Sequence, residues 1–553
     1  MRRQAWRQRQ ITIARDVTRM QSDDPLGAAK LSRRQLLAMS ALALTPVALA
    51  ACQPGARTRV SPAPRPTATP TPPPLTSADW EALAQRLQGT LIRPGDPPYP
   101  TARQLFDPRF DQVMPAAIAE CASVADTQVC LAFAQRFGMP LVARCGGHSY
   151  AGYSTSTGLV LDVTPMHSIQ VDEATGIVEI GAGARLIDIY AALAAQGLAL
   201  PAGSCPSVGI AGLALGGGVG VLGRKLGLTS DNLLAAQITL ADGRTLTCDA
   251  SHDPDLFWAL RGAGGGNFGV VTSFRFQTHP LTTLTLFTIN WPWSVAAEMA
   301  GAWQAWAPHA PDELWSNCLL LAADSAQAEP IARVNGVYVG GMSGLQGLLS
   351  QLISQISAAP LSSYMGPDSL LDAMMIEAGC FGETVAACHL PSQNPAGQVA
   401  RATEVSRSDY IASPLPSAGI AALVSAIATR SASAPNGGGI GLDAMGGAIN
   451  RIAPDATAFV HRQELCSAQY TTSYAVGDPP GAISASLAWL DQTWQAMRPF
   501  VSGGAYQNYI DPNLPDWLNA YYGANLPRLR RVKSLYDPHN FFRFAQSIPL
   551  PDA

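Results

Sequence analysis

Residues 144–150, Arg-Cys-Gly-Gly-His-Ser-Tyr, place two glycines and a histidine where an apolar run ends. Because glycine has no Cβ, backbone N–H groups in such a loop can approach a phosphate or a flat ring, and His148 would then lie beside that ligand. A histidine in a loop is also common without any binding role. The pattern predicts a ligand-binding loop and leaves both interpretations of His148 open.

A second glycine-rich stretch covers residues 201–220 and contains a formal G-x-G-x-x-G pattern at Gly218, Gly220 and Gly223. A dinucleotide-binding fingerprint needs a strand directly before it and a helix directly after it. Here more glycines come before the pattern, and Arg-Lys-Leu-Gly follows it. An NAD-dependent dehydrogenase is therefore the least favoured function.

Composition narrows the class of protein further. The 553 residues carry 36 Lys and Arg against 40 Asp and Glu, and basic residues cluster only near the N-terminus, which argues against nucleic-acid binding. The eight His are scattered, and no C-x-x-C or H-E-x-x-H motif occurs, so we expect no metal site. A short glycine-containing segment separates Cys380 from Cys388, and we expect these two cysteines to form a disulfide.

The N-terminal region has the features of an export signal. Arg33 and Arg34 precede an apolar run over 36–51, which is 16 residues long and too short to span a bilayer. Twin arginines resemble a Tat signal, and small residues before Cys52 resemble a lipoprotein cleavage site. We expect an exported protein of the cell envelope or a secreted one, with lipid at Cys52 as its only membrane contact. A cleaved signal with an unmodified Cys52 is the alternative.

The rest of the chain divides by composition. A proline-rich linker over 53–76 follows the signal over 1–52. Periodicity then predicts an α+β protein. The glycine-rich loops thin out after about residue 283, which indicates domains at 77–282 and 283–500 and leaves a final segment at 501–553. Its predicted elements are helices over 117–137 and 185–196, strands over 140–144, 159–162 and 177–180, and a hairpin over 235–247.

Four motifs in a fixed order give a more specific indication. They are Arg144-Cys-Gly-Gly-His-Ser-Tyr150, Gly203-Ser-Cys-Pro-Ser-Val-Gly-Ile-Ala-Gly-Leu-Ala-Leu-Gly-Gly-Gly-Val-Gly220, Asp255-Leu-Phe-Trp-Ala-Leu-Arg-Gly-Ala-Gly-Gly-Gly-Asn-Phe-Gly-Val270, and Tyr506-Gln-Asn-Tyr509 with Asp537-Pro-His-Asn540. Together they resemble the berberine bridge enzyme-like flavoproteins over residues 90–550.

This resemblance implies a two-lobed PCMH-type FAD-binding domain, an α/β substrate domain with an antiparallel sheet, and a C-terminal element that returns to the FAD domain. FAD is the implied cofactor. The residues implied to bind it are His148, Cys205, Arg144, Cys145, Gly146, Gly147, Ser149, Gly203, Ser204, Val208, Gly209, Gly212, Gly216, Gly217, Gly220, Gly269, Val270 and Asn540.

In bicovalent members of the family the flavin is bonded to a His in the G-G-H motif and to a Cys in the later loop. His148 and Cys205 match these two positions. The alternative for Cys205 is a packed or disulfide-bonded thiol. Leu213 stands where many bicovalent relatives have a histidine, and this form of the loop also occurs in relatives that have only the histidyl bond.

The resemblance also implies catalytic residues. Tyr506 matches the tyrosine of the Y-x-N motif and is the expected base, which takes a substrate hydroxyl proton while hydride passes to the flavin. If the segment is extended, Asn508 lies on the same face and orients Tyr506. Tyr150 matches a position that lines the substrate site of carbohydrate-oxidising members. Each tyrosine has a core aromatic as its alternative.

Val208 matches the family's oxygen-gate position, where a small side chain is typical of oxidases, so we expect O2 as electron acceptor and hydrogen peroxide as product. The expected small-molecule substrate is a sugar hemiacetal or a secondary-metabolite alcohol. A histidyl-FAD dehydrogenase with another acceptor and a non-catalytic binding protein are the alternatives. Four tryptophans are candidates for sugar stacking, although a core role is favoured: Trp291, Trp293, Trp303 and Trp306.

Overall fold

A computed structural model of the chain describes residues 72–281, 283–323, 328–433 and 437–552. The predicted export signal, Cys52 and the linker up to residue 71 lie outside these ranges. Helix α1, Ser77–Arg86, opens the described part, and a capping box between Thr76 and Asp79 starts it. Within these ranges, no helix is long and apolar enough to cross a membrane, and no group of three metal-ligating side chains is found.

The first sheet positions the Gly-Gly-His loop. Its order is β1-β2-β4-β3, in which β1 and β2 pair antiparallel and β4 pairs parallel with both β2 and β3. Register places Arg144, the last residue of β3, beside Asp162, and the Arg144 Nε to Asp162 Oδ2 distance is 2.7 Å. The elements are β1 (Thr90–Ile92), α2 (Tyr99–Ala102), β2 (Ala117–Glu120), α3 (Val124–Arg136), β3 (Leu141–Arg144) and β4 (Leu159–Asp162).

The second sheet has five antiparallel strands in the order β5-β6-β10-β8-β9, and a separate pair joins β7 to β11. Between its strands run the short helices that carry the second glycine-rich stretch. The elements are β5 (Ile169–Asp172), β6 (Ile177–Gly181), α4 (Leu186–Ala194), β7 (Leu198–Ala199), α5 (Ile210–Leu215), α6 (Gly223–Leu226), β8 (Leu233–Thr239), β9 (Thr245–Asp249), α7 (Pro254–Ala259), β10 (Val270–Gln277) and β11 (His279–Pro280).

The third sheet has seven antiparallel strands in the order β15-β12-β14-β13-β17-β18-β16. Burial alternates along β13 and β17, and the apolar face packs against helices α8, α11 and α12. The opposite face carries polar side chains such as Asn317, Arg333 and Gln469 beside apolar ones such as Leu319. The elements are β12 (Leu284–Trp291), α8 (Ala296–Trp306), β13 (Leu314–Leu321), β14 (Ile331–Tyr338), α9 (Met342–Ile353), β15 (Ser362–Asp368), α10 (Leu370–Glu377), β16 (Glu404–Ile411), α11 (Ser417–Ser433), β17 (Gly438–Ala444), β18 (Cys466–Ser473) and α12 (Pro480–Met497).

The chain then returns to the first two sheets through α13 (Trp517–Tyr522) and α14 (Leu526–Tyr536). Lys533 on α14 is fully buried, and its Nζ donates to Asp537 at 2.7 Å and to the carbonyl of Asn267 at 2.6 Å. Asp537 in turn accepts from the backbone N–H of Phe542 at 2.9 Å. This buried network attaches the C-terminal element to the loop before β10.

The structure confirms the α+β class, the antiparallel sheet and most of the predicted elements. The helix expected over 117–137 is wrong at its start, because residues 117–120 form β2 and Ser123 caps the helix that begins at Val124. The Cys380–Cys388 disulfide is present. Three of the four tryptophans are buried in the core, as favoured: Trp291, Trp303 and Trp306.

Candidate active site

The imidazole of His148 is held at two points on the loop after β3. Its ring stacks on Phe106 with 4.2 Å between ring centroids, and its Nε2 lies 3.0 Å from Ser207 Oγ. Burial, with a smaller contribution from the Arg185 guanidinium, lowers the pKa of His148 to about 3. The ring is therefore neutral near physiological pH, and a neutral imidazole is a nucleophile.

A cavity of about 430 Å³ opens beside His148. Sixteen of the other residues predicted to act in the site line it, although they come from distant parts of the sequence. These are Arg144, Cys145, Gly146, Gly147, Ser149, Tyr150, Gly203, Ser204, Cys205, Val208, Gly209, Gly212, Gly269, Val270, Tyr506 and Asn508.

The remaining four predicted residues lie behind the cavity wall or away from it. A Cβ on Gly216 would be 2.0 Å from Asn508 Oδ1, and one on Gly220 would be 1.8 Å from the carbonyl oxygen of Ala202. Gly217 likewise packs against the ring of Phe459. These glycines let protein segments approach each other. Asn540 has a positive φ of 49° in the C-terminal element, and it is not among the lining residues.

The hydroxyl of Tyr506 receives three N–H donors. The backbone amides of Gly218 and Val219 lie 3.1 and 3.0 Å from its oxygen, and Asn508 Nδ2 lies at 2.9 Å. Burial raises the pKa of Tyr506 above its ordinary value, and these three hydrogen bonds offset only part of that rise. Three donors suit a phenolate better than a neutral phenol, whose oxygen also carries a proton of its own. The site thus supports a tyrosine that accepts a proton.

Asn508 reaches Tyr506 by a different route from the one expected. Residues Gln507–Tyr509 form a single 3₁₀ turn, so the segment is not extended. The turn is fixed from both sides, because Gln507 Nε2 donates to the carbonyl of Ala263 and Asn508 Nδ2 to that of Leu213, each at 3.0 Å. Asn508 therefore links Tyr506 to helix α5.

The polar face of the third sheet forms another wall of the cavity. Gln469 on β18 donates from Nε2 to the hydroxyl of Tyr150 at 3.3 Å, and it also lies 3.2 Å from Ser406 Oγ. Glu404 on β16 lines the cavity nearby. Burial, and then the charge of Glu404, raise the pKa of Tyr150 well above its ordinary value. Tyr150 is therefore a neutral hydrogen-bonding group and not a base.

Cys205 lies on the cavity wall as an exposed free thiol. The surrounding protein and the carboxylate of Glu404 raise the pKa of Cys205 to about 11. A thiol reacts as its thiolate, and a raised pKa keeps the thiolate scarce at neutral pH.

Comparison with known proteins agrees with this geometry. The family model described as FAD binding domain matches residues 115–249, and the one described as Berberine and berberine like matches residues 505–549. The FAD-linked oxidoreductase YgaK of Bacillus subtilis is 34% identical over 470 residues, which are 84% of this chain and 97% of that protein. This chain belongs to the berberine bridge enzyme-like family of FAD-linked oxidoreductases.

Two further members of that family are informative. The chitooligosaccharide oxidase of Gibberella zeae is 30% identical over 448 residues, which are 78% of this chain and 87% of that protein. The solved structure of Physcomitrella patens BBE-like 1 superposes with a TM-score of 0.78 at 31% identity and covers 86% of this chain and all of that chain.

The cavity fits the FAD that defines the family. Arg144 lines it, and its Nη1 is buried without a partner among the described residues, so a donor is available to a bound group. A Cβ on Gly212 would meet no atom within 4 Å, so the wall is open at that point. Apolar side chains surround the β3 end of the cavity and suit a flat ring, among them Leu141, Val142, Val163, Leu186 and Val270.

Sequence reasoning missed Gln469 and Glu404. Each lies on a strand of the third sheet, far in sequence from every glycine-rich motif. The signal available was the alternation of β18, in which Gln469 occupies an outward position between the buried Ala468 and Tyr470. That alternation predicts that Gln469 lies on the less buried face of the sheet, but it does not predict that this face lines the cavity beside His148.

Proposed function

We propose that this protein is an oxidase that holds FAD covalently through His148, and also through Cys205. It oxidises an alcohol or a sugar hemiacetal and passes the electrons to O2, which gives hydrogen peroxide. One observation carries the proposal: the Tyr506 hydroxyl, with three N–H donors, lines the same cavity as His148.

The proposed reaction assigns the proton to this tyrosine. Tyr506 takes the substrate hydroxyl proton at Oη, and the amides of Gly218 and Val219 with Asn508 hold the charge that the oxygen carries as a phenolate. Bound FAD supplies the hydride acceptor. Because Tyr506 lines the cavity that would hold FAD, a substrate bound there would have its hydroxyl at the base and its carbon beside the hydride acceptor.

A carbohydrate is the favoured substrate. Three side chains that line the cavity can bond to hydroxyl groups: Tyr150, Gln469 and Glu404. The rings of Tyr150 and Tyr509 lie nearly parallel at 5.8 Å between centroids and give the cavity an aromatic surface. Similarity to a chitooligosaccharide oxidase supports this choice.

The flavin linkage is tested by acid precipitation of the purified protein, followed by mass spectrometry of its peptides. We expect flavin on the peptide that contains His148 and on the one that contains Cys205. Flavin released wholly into the supernatant would refute the covalent linkage. The raised pKa of Cys205 and the presence of Leu213 favour a second candidate, a histidyl-only enzyme, and flavin on the His148 peptide alone would support it.

The substrate class is tested by peroxide release from cello-, xylo- and chito-oligosaccharides. The matched control is each sugar after borohydride reduction, which removes the hemiacetal and keeps the other hydroxyls. We expect peroxide from the reducing sugars only. Equal rates with the reducing sugar and its reduced form would show that the enzyme oxidises an ordinary alcohol group and not the hemiacetal. No peroxide from any sugar would refute the carbohydrate proposal.

The choice of O2 is tested at Val208, which lines the cavity. In Val208→Ile the added methylene narrows the approach to the flavin, so we expect reoxidation of the reduced enzyme by O2 to slow by about tenfold or more, while reoxidation by an organic dye is unchanged. If the ratio of the O2 reoxidation rate to the dye reoxidation rate is the same in Val208→Ile as in the unaltered protein, Val208 does not control oxygen access.

A further inference from the structure

The hydrogen bond between His148 and Ser207 is a contact that no part of the proposed reaction uses. Ser207 Oγ lies 3.0 Å from His148 Nε2, and the serine is only 1% exposed. Since this bond occupies Nε2, Nδ1 is the ring nitrogen left for a group in the cavity. The stacked ring of Phe106 prevents the imidazole from turning freely.

Ser207 is itself fixed by two other segments. On one side, the backbone of its loop bonds to the start of α4, where the N–H of Leu186 donates to the carbonyl of Val208 at 3.0 Å. On the other side, Gln393 Nε2 donates to the carbonyl of Ser207 at 3.2 Å. Gln393 belongs to the loop between the Cys380–Cys388 disulfide and β16. The hydroxyl therefore has a defined place relative to His148.

A neutral imidazole has one protonated and one unprotonated nitrogen, and the hydrogen bond of one decides the state of the other. A serine hydroxyl can accept from N–H or donate to an unprotonated nitrogen. We propose that Ser207 is a positioning residue for covalent flavin attachment, in which its hydroxyl accepts Nε2–H and so leaves the lone pair of His148 on Nδ1. The inference rests on the proposed histidyl linkage.

A bond forms between Nδ1 of His148 and a methyl carbon of the flavin ring, one C–H bond of that methyl breaks, and the proton on Nε2 leaves. The flavin ring thereby gains two electrons and two protons, and O2 removes them as hydrogen peroxide. Once Nε2 has lost its proton, the Ser207 hydroxyl can rotate and donate to it. The hydroxyl can accept from Nε2–H before attachment and donate to Nε2 after it, whereas the side chain of an alanine can do neither.

The test compares Ser207→Ala, Ser207→Thr and Ser316→Ala with the unaltered protein. Thr keeps the hydroxyl. Ser316 is the matched control, because it is also 1% exposed and hydrogen-bonded, at 3.0 Å to Trp303 Nε1, but it does not line the cavity. Samples taken at successive times after induction are assayed for total FAD per chain and for the flavin-bearing fraction of the His148 peptide.

We expect Ser207→Ala to bind one FAD per chain but to attach it at His148 about five- to tenfold more slowly, while the other two variants match the unaltered protein. Equal attachment rates in Ser207→Ala and the unaltered protein would overturn the inference. If Ser207→Ala loses all FAD, the attachment rate is measured in Ser207→Cys instead, because a cysteine is similar in size to serine but forms weak hydrogen bonds. Normal attachment in that variant would also overturn it. Absence of flavin from His148 in the unaltered protein would instead refute the proposed linkage.

Discussion

At the scale of single residues, the site depends on pairs whose members lie far apart in sequence. His148 could be proposed from the glycines before it, and Tyr506 and Asn508 from their motif. Two of the three donors around the Tyr506 hydroxyl could not be proposed, because they are backbone amides of a glycine-rich loop. Backbone direction depends on tertiary packing, and residue types do not encode it locally.

Tyr506→Phe removes the proposed base and keeps the ring. We expect kcat to fall by about a hundredfold or more while FAD remains bound, since general-base groups contribute about 10² to 10⁴ in rate. Steady-state oxidation of the best substrate measures this. Tyr99→Phe is the control, because Tyr99 is equally buried and bonds to the Pro115 carbonyl away from the cavity. A similar loss in both variants would point to a fold effect.

Asn508→Leu removes one of the three donors to Tyr506 and keeps the size of the side chain. That hydrogen bond lowers the pKa of Tyr506, so its loss raises this pKa. Because the unprotonated tyrosine is the active form, the acidic limb of the kcat/KM profile should move to higher pH. An unshifted limb would mean that Asn508 does not stabilise the phenolate.

At the scale of elements, local patterns located the strands next to the first glycine loop and the helix that became α4. Local patterns failed over residues 117–120, whose alanines and isoleucine are compatible with a helix. These residues instead form β2, which pairs with both β1 and β4. Ser123, whose hydroxyl caps α3, was the local signal that gives the true start of that helix. The order of strands in the third sheet could not be derived, because β16 pairs with β18, which comes about 60 residues later in the sequence.

Lys533→Met tests the network that holds the C-terminal element. The substitution leaves Asp537 as a buried carboxylate without its cation, so we expect unfolding free energy to fall by about 3–5 kcal/mol. Thermal or denaturant unfolding measures it. Lys225→Met is the matched control: its 2.5 Å ion pair with Glu313 is about one-third exposed and should be worth about 1 kcal/mol or less. Equal losses would show that burial of the ion pair does not matter.

At the scale of the whole molecule, residues 73–553 form one unit in which separate sheets share a single cavity. The predicted boundaries at 282 and 500 stay predictions, although the third sheet begins at Leu284. Several contacts cross between its loops and the first two sheets. Arg401 binds Asp111 through both of its terminal nitrogens, and His389 Nε2 lies 3.0 Å from Asp188 on α4.

The His389–Asp188 contact makes stability depend on pH. Burial lowers the pKa of His389, but the hydrogen bond and charge of Asp188, together with hydrogen bonds to the carbonyls of Val385 and Ala386, outweigh it, so the pKa is raised above about 6.5. This contribution to stability is fully present below pH 6.5 and disappears as pH rises through the raised pKa. The Tm deficit of His389→Gln should therefore be largest in mild acid. His252→Gln, on an exposed turn, should change Tm little at any pH.

Tyr506 and the Lys533 network both belong to the last tenth of the sequence, and Tyr506 lines a cavity whose first lining residue is Phe106. During synthesis the first two sheets leave the ribosome long before this segment exists, and domains fold as they emerge. Until translation ends, the nascent chain therefore carries His148 without the C-terminal residues that line the same cavity. A premature stop codon late in the gene would therefore remove the proposed base and Lys533 while leaving the residues of both amino-terminal sheets in the chain.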